Sequence, residues 1–157
     1  MEILVVCSGN ICRSPYAAGY LRFRLQSLGE NGHGVDSAGT LGIMGSPPSP
    51  ETLQVAQESG FELKEHRSKG VTFEGVDEAD VILVMEDLHR SELAQRYPED
   101  QDKIHLLSEF HPAIKEPSRA PDIFDPIGLP LEEYRRCFSL VRDAVDGYLT
   151  SGYLQRD

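Results

Sequence analysis

The segment Cys7-Ser8-Gly9-Asn10-Ile11-Cys12-Arg13-Ser14 holds the residue types with the clearest chemistry in this chain. Cys7 is a potential nucleophile, and Arg13 follows it after five residues. A helix N-terminus and an adjacent cation can lower the pKa of a cysteine to roughly 3.5–7.5, which favours the reactive thiolate. Backbone N–H groups curled around an anion, together with a guanidinium fork, stabilise charge on phosphoryl oxygens. The segment therefore predicts transfer of a phosphoryl group to Cys7.

The other residues of this loop suit the same chemistry. Gly9 and Asn10 are residue types that tolerate the left-handed backbone that such a curl requires. A cysteine with an arginine six positions later usually marks only a buried cysteine and an ordinary turn. Here the pattern follows a buried strand and leads into a helix start at Ser14-Pro15, with proline in the first helical position. This context favours the functional interpretation.

A second candidate is the dipeptide Asp125-Pro126 near the C-terminus. Breaking a phosphate ester leaves an oxyanion, and a general acid beside that oxygen accelerates the step by roughly 10²–10⁴-fold. The same carboxylate could then activate the water that releases the phosphate. Asp122 is the rival carboxylate. We prefer Asp125, because Pro126 fixes the φ that follows and helps to aim the side chain.

The elements that must position these residues alternate along the chain. Strands are predicted at residues 3–6, 35–38, 81–85 and 104–107, and helices after Ser14 and Ser49, from an Asp87 cap to Arg96, and along a C-terminal apolar stripe. Alternating strands and helices predict an α/β fold, with a parallel sheet and helices on both faces. Ligands of such sheets bind beyond the carboxyl ends of the strands. The loop after the first strand is therefore the predicted phosphate-binding loop.

The length and composition of the chain set further limits. A chain of 157 residues predicts a single domain over residues 1–157. The net charge of −11 argues against nucleic acid as a partner, and no apolar run reaches the roughly 18 residues that membrane insertion requires. The N-terminus lacks the basic region of a signal peptide, so we expect a cytoplasmic protein without a disulfide framework.

These motifs, in this order, resemble the low-molecular-weight protein tyrosine phosphatases. The resemblance rests on the loop that begins at Cys7, on Asp125-Pro126, and on three further segments: Ser37-Ala38-Gly39-Thr40, His66-Arg67-Ser68 and Ala79-Asp80-Val81-Ile82-Leu83-Val84-Met85. It implies a four-stranded parallel sheet flanked by helices and the hydrolysis of phosphotyrosine in proteins, without a metal or cofactor. It also suggests a tyrosine kinase as an opposing partner.

The resemblance also implies residue roles. Cys7 would be the nucleophile, Arg13 the phosphate clamp, and Asp125 first the general acid and then the base. Ser14 would bind the Cys7 thiolate, while Asn10, helped by His66, would lock the loop. The remaining phosphate-binding positions are Ser8, Gly9, Ile11 and Cys12.

The sequence departs from many relatives around the cleft. No aromatic residue occurs in Leu41-Gly42-Ile43-Met44 or directly after Asp125-Pro126, where Ile127-Gly128 follows. Relatives also commonly place an acidic residue where this chain has Ala18. An apolar rim able to hold a phenyl ring must therefore come from aliphatic side chains such as Ile11, Leu41, Ile43 and Ile127.

Three alternatives remain open. Protein-arginine phosphatases of the same fold carry threonine at the position of Ile11, so the isoleucine favours phosphotyrosine. Thioredoxin-coupled arsenate reductases need two more cysteines in the middle of the chain, and none lies between Cys12 and Cys137. A non-catalytic phosphate-binding module would be expected to lack Cys7 or Asp125, and both are present.

Overall fold

The computed structural model describes residues 1–155, and residues 156 and 157 lie outside the described part. Within it, four parallel strands, β1 (Glu2–Cys7), β2 (Gly34–Gly39), β3 (Val81–Val84) and β4 (Ile104–Leu106), form one sheet in the order β2-β1-β3-β4. This confirms the predicted α/β fold and all four predicted strands. The single domain over residues 1–157 stays a prediction, since its last two residues are not described.

The helices are α1 (Arg13–Ser27), α2 (Pro50–Ser59), α3 (Phe73–Glu78), α4 (Asp87–Arg96) and α5 (Leu131–Thr150), with short 3-10 helices at Pro98–Lys103, Leu107–Phe110, Pro117–Arg119 and Tyr153–Gln155. The sequence predicted all of the α-helices except α3. The predicted start of α1 was wrong by two residues, because the Ser14 hydroxyl bonds the Cys7 sulfur instead of capping the helix. Asp87 is the first residue of α4 rather than its cap, which is Glu86.

The sheet is covered on both faces, as its strands require. On β1, Ile3 and Val5 pack in a core formed with α1, α2 and α5, whereas Leu4 and Val6 pack in a second core with α3 and α4. Successive side chains of a strand point to opposite faces, so a continuous apolar run indicates burial on both sides. Among the described residues, no helix is long and apolar enough to cross a bilayer.

The carboxyl ends of β1 and β2 approach each other closely. Gly39 pairs with Cys7, and a Cβ at Gly39 would lie 2.5 Å from the Ser8 carbonyl oxygen. The Thr40 and Leu41 amides then donate to the carbonyls of Cys7 and Ser8, at 3.0 Å each. Glycine at position 39 therefore allows β2 to support the first turn of the predicted phosphate-binding loop.

Candidate active site

The predicted phosphate-binding loop connects β1 to α1. Cys7 is the last residue of the strand and Arg13 the first of the helix, and both are almost fully buried. Asn10 has φ 58°, the one positive φ among the non-glycine residues that the structure describes. Gly9, which would also tolerate this conformation, does not adopt it, since its φ is not positive. The curl of the loop thus depends on one left-handed residue, and asparagine tolerates that conformation.

The Cys7 sulfur has two hydrogen-bonding neighbours within the loop. Its Sγ lies 3.0 Å from the Ser14 hydroxyl and 3.3 Å from the Asn10 backbone nitrogen, whose N–H donates to it. The Asn10 side-chain amide donates to Ser14 Oγ at 2.8 Å, and the Ser14 hydroxyl can donate its own hydrogen to the sulfur, which is closer than its other acceptor, the Ala38 carbonyl at 3.5 Å. Hydrogen bonds to a charged form favour that form, so this arrangement suits a thiolate. The predicted Ser14–Cys7 contact is present.

Asn10 is held by bonds at both ends of its side chain. Its amide nitrogen also donates to Ser37 Oγ at 3.0 Å, and its oxygen accepts the Lys69 backbone N–H at 3.0 Å. His66 Nε2 donates to the Asn10 carbonyl at 2.8 Å, and burial lowers the pKa of His66, which favours a neutral ring. The structure therefore brings His66 to the loop, as expected, and adds Ser37 and Lys69.

The Arg13 side chain is oriented by three acceptors from outside the loop. Its Nη1 donates to Glu86 Oε2 at 2.7 Å and to the Ile123 carbonyl at 2.8 Å, while Nη2 lies 3.4 Å from Asp125 Oδ2. Burial alone would lower the pKa of Arg13, but the charges of Cys7, Asp125 and Glu86 raise it above its usual value. The guanidinium therefore stays charged beside the cysteine.

The two candidate carboxylates have different surroundings. Asp125 lines the same cleft as Cys7, is 39% exposed, and accepts the Ile127 backbone N–H through Oδ1 at 3.1 Å. Asp122 instead accepts the backbone N–H of Asp87 at 2.8 Å, at the start of α4. The Asp122 carboxylate thus pairs with an amide in the first turn of α4 and does not line the cleft. This difference supports the choice of Asp125 over Asp122.

The cleft above Cys7 has a volume of about 180 Å³ and an aliphatic wall. Loop residues Ser8, Gly9 and Cys12 also line it, and its apolar side chains are those expected from the sequence: Ile11, Leu41, Ile43 and Ile127. Leu41 is 67% exposed and Ile127 48% exposed, so both stand at the mouth. The cleft therefore combines a charged base with an apolar rim.

Sequence reasoning missed two residues that the structure places around the loop. Glu86 follows β3 and binds Arg13, and the buried His89 lies 2.8 Å from Ser8 through Nε2. The available signal was position, because residues just beyond a strand's carboxyl end lie near the site in such folds. Within residues 1–155, no group of three or more His, Cys, Asp or Glu side chains is arranged to hold a metal ion.

A parallel sheet with a cysteine–arginine loop at its carboxyl edge defines an α/β protein built to hold a tetrahedral oxyanion over a thiol. Residues 2–157 match the family described as low molecular weight phosphotyrosine protein phosphatase, and the chain belongs to that family. The family predicted from the sequence is thus confirmed.

Similar proteins carry two activities in their names. The chain is 35% identical over 147 residues, 94% of this chain and 92% of the relative, to a probable low molecular weight protein-tyrosine-phosphatase, EpsP, of Ralstonia nicotianae. It is also 35% identical over 145 residues, 92% and 91% of the two chains, to a protein-arginine-phosphatase of Geobacillus stearothermophilus. A cysteine-to-serine variant of YwlE arginine phosphatase with a phosphorylated active-site serine superposes with TM-score 0.89, at 25% identity over 99% and 98% of the chains. Overall identity therefore does not choose between the two substrates.

Proposed function

We propose that the protein is a protein-tyrosine-phosphatase, a phosphoric monoester hydrolase that acts through a phosphocysteine on Cys7. The observation that carries this proposal is the convergence of Cys7, Arg13 and Asp125 on one cleft with an aliphatic rim. Phosphotyrosine presents a dianionic phosphate followed by a flat apolar ring. The charged base of the cleft suits the phosphate, and the rim suits the ring.

In the first step, the Cys7 thiolate attacks phosphorus and the bond from phosphorus to the tyrosine oxygen breaks. Asp125, in its protonated form, gives its proton to the departing phenolate oxygen, which leaves as tyrosine. Arg13 and the loop amides from Ser8 to Arg13 hold the equatorial oxygens of the transferring group. The phosphorylated serine in the related arginine phosphatase variant supports such a covalent intermediate.

In the second step, Asp125 acts as a carboxylate base. It takes a proton from water, the water oxygen attacks phosphorus, and the phosphorus–sulfur bond breaks. This releases inorganic phosphate and restores the Cys7 thiolate and the protonated Asp125. Ser14 and the Asn10 N–H stabilise the thiolate as a leaving group, through the contacts they make with Sγ at 3.0 and 3.3 Å. The residues thus return to their starting protonation states.

Arginine phosphatase activity is the second candidate, and the Geobacillus stearothermophilus relative is the observation that favours it. A guanidinium phosphate would place a polar, charged group against the aliphatic rim. Burying such a group without a hydrogen bond costs roughly 1–3 kcal/mol. Ile11 lies within the phosphate-binding loop and lines the cleft, but its side chain offers no hydrogen bond, so we rank phosphotyrosine first.

The setting of the reaction follows from the same chemistry. The substrates would be phosphotyrosine-containing proteins, and a tyrosine kinase would supply them. The mechanism requires Cys7 as a free thiol, and reducing compartments keep thiols reduced. We therefore place the protein in the cytoplasm.

The deciding experiment compares turnover of phosphotyrosine, phosphoserine and phosphoarginine peptides of one sequence, each with and without a chelator. We expect the highest kcat/KM for phosphotyrosine and no effect of the chelator. The matched control is Cys7→Ser, which should lose turnover while still binding inorganic phosphate, because backbone and Arg13 form the cradle. Near-normal activity of Cys7→Ser, or a preference for phosphoserine, would refute the proposal.

A further inference from the structure

His89 is a buried titratable residue that the proposed mechanism leaves unused. It is the third residue of α4, and its exposure is 0%. Its Nδ1 accepts the backbone N–H of Glu86 at 3.1 Å, and its Nε2 lies 2.8 Å from Ser8 Oγ. Both ring nitrogens are thus engaged, one by the start of α4 and one by the phosphate-binding loop.

These contacts determine the protonation state of the ring. Nδ1 must offer a lone pair to the Glu86 N–H, so the single proton of the neutral ring sits on Nε2 and is donated to Ser8. Burial, and then the charge of Arg13, lower the pKa of His89, which also favours the neutral form. A second proton on Nδ1 would face the Glu86 N–H directly, so the charged ring is incompatible with this contact.

The link reaches the catalytic arginine through Glu86. The carboxylate oxygen Oε2 of Glu86 accepts from Arg13 at 2.7 Å and lies 3.6 Å from His89 Nε2. Ser8 follows Cys7 directly, and its carbonyl accepts the Leu41 N–H. One ring therefore ties the first turn of the loop to the segment that orients Arg13.

We propose that His89 is a positioning residue, whose neutral Nε2–H bond to Ser8 holds the phosphate-binding loop in register with Glu86 and Arg13. The proposal rests on the proposed phosphatase function, since its effect is on binding and turnover of a phosphate ester. Without this bond the Ser8 side chain can rotate, and the phosphate-binding loop is held less firmly in position relative to the Arg13 guanidinium. Catalytic constellations lose much of their effect when they are misplaced by as little as 1 Å.

The link should also sense acid. The charged groups that face His89 are Arg13 from α1, Glu86 and Glu92 from α4 and its cap, and Asp122 from the segment before Asp125. The three carboxylates favour a second proton, whereas burial and Arg13 oppose it. When the pH falls through the pKa of His89, Nδ1 gains a proton, the N–H groups of His89 and Glu86 face each other, and their repulsion moves the ring away from Ser8. Acid therefore removes this contribution, and neutral pH retains it.

The test uses Ser8→Ala, His89→Ala, the double variant and His89→Gln, with para-nitrophenyl phosphate as substrate and inorganic phosphate as competitive inhibitor. Glutamine can donate to Ser8 from nearly the same place but does not titrate. We expect each alanine variant to weaken phosphate binding and lower kcat/KM about tenfold. The double variant should be no worse than either single variant, because both substitutions remove the same Ser8–His89 hydrogen bond. His89→Gln should retain kcat/KM within about threefold at neutral pH, as the bond survives.

The pH profile separates positioning from simple packing. Ionisations of the substrate and of other groups are common to both proteins, so the ratio of kcat/KM for His89→Gln to that of the wild type isolates His89. We expect this ratio to rise as the pH falls, and to stay flat for the control variant His111→Gln, whose histidine lies outside the site. The inference would be overturned if the His89→Gln ratio did not change with pH, or if Ser8→Ala kept the kcat/KM of the wild type. It would also be overturned if the losses of kcat/KM in the two alanine variants multiplied in the double variant. Absence of wild-type turnover would instead refute the proposed function, while phosphate binding, measured by calorimetry, would still test the link.

Discussion

Asp125 and Asp122 are three residues apart, yet their carboxylates make different contacts in the structure. Asp125 is next to Arg13 in the cleft, so Asp125→Ala should lower kcat for a phosphotyrosine peptide by roughly 10²–10⁴-fold. The loss should be much smaller for aryl phosphates with very acidic phenols, which leave without a proton. Steady-state kcat values across a series of leaving groups measure this difference.

Asp122→Ala is the matched control for the general acid. It removes an acceptor from the first turn of α4, which should cost about 1 kcal/mol of the free energy of unfolding and little activity. If Asp122→Ala damages turnover more than Asp125→Ala, the assignment of the acid is wrong.

Ile11 is the residue at which we expect substrate choice to be decided. It lines the cleft above Cys7 and also packs partly against the core. A methyl-rich side chain packs on a phenyl ring but leaves a guanidinium without a partner, whereas threonine offers a hydroxyl of nearly equal size. Ile11→Thr should shift the kcat/KM ratio toward phosphoarginine by about tenfold or more, equivalent to about 1.4 kcal/mol.

Both substrates should be assayed on both proteins at one pH. A wild type that already prefers phosphoarginine would defeat this specificity argument and leave the cysteine mechanism intact. If the kcat/KM ratio of the two substrates is unchanged in Ile11→Thr, the Ile11 side chain only packs the loop against the core and does not contact the leaving group.

At the scale of elements, the close approach of β2 to the loop makes position 39 intolerant of a side chain. A Cβ there would lie 2.5 Å from the Ser8 carbonyl and 3.0 Å from the Asn10 nitrogen, both of which are backbone. Gly39→Ala should therefore cost about 1–3 kcal/mol of the free energy of unfolding and weaken phosphate binding. Denaturant unfolding and phosphate titration measure the two effects.

Gly32→Ala serves as the control, because nothing lies within 4 Å of its Cβ position. Its free energy of unfolding should stay within about 0.5 kcal/mol of the wild type. Equal free energies of unfolding for the two variants would mean that β2 and the loop can move apart to fit a Cβ without loss of stability.

The junction of the loop with α1 brings a second thiol, Cys12, into the same cleft as Cys7. Peroxide converts a Cys7 thiolate to a sulfenic acid, and Cys12 can then displace water to form a disulfide. Burial raises the pKa of Cys12, so only a small fraction is thiolate at neutral pH. We therefore expect reversible inactivation through a Cys7–Cys12 disulfide that forms faster as the pH rises.

Mass spectrometry after mild peroxide treatment at several pH values tests this disulfide. Cys137→Ala should not change it, because that thiol is buried on α5, donates to the Phe124 carbonyl, and has its pKa raised to about 12 by burial. Sulfinic or sulfonic acid on Cys7 with Cys12 still free would show that Cys12 only packs beneath the loop.

The elements also show what could be predicted from the sequence and why the rest could not. The strands were predictable because buried parallel strands are continuous apolar runs, and residues 81–84 are wholly buried. Helix α3 was not, since it has six residues, buries only Val76 and leaves Phe73 exposed. Local motifs identified Cys7 and Arg13, whereas Glu86 and His89 contact loop residues that are 73 and 81 positions away in the sequence and have no local pattern. Such pairings depend on the fold.

At the scale of the whole molecule, the charge balance opposes the proposed substrate. The chain has 15 basic and 26 acidic residues, a net charge of −11, and a phosphate ester must approach this field before Arg13 can hold it. The electrostatic field of a whole protein mainly changes the rate at which a charged substrate associates with it. The Debye length is about 30 Å at 0.01 M salt and about 10 Å at 0.1 M, so the field reaches a substrate only at low salt.

Two phosphotyrosine peptides of equal length, one with acidic and one with basic flanks, should therefore respond to salt in opposite directions. Between about 0.01 M and 0.15 M salt, kcat/KM should rise for the acidic peptide and fall for the basic one, since screening removes repulsion in one case and attraction in the other. Anions that compete for the phosphate loop affect both peptides equally, so the ratio of the two kcat/KM values cancels that inhibition. If the ratio does not change with salt, the local charge of Arg13 and the loop amides, not the molecular field, governs the approach of the substrate.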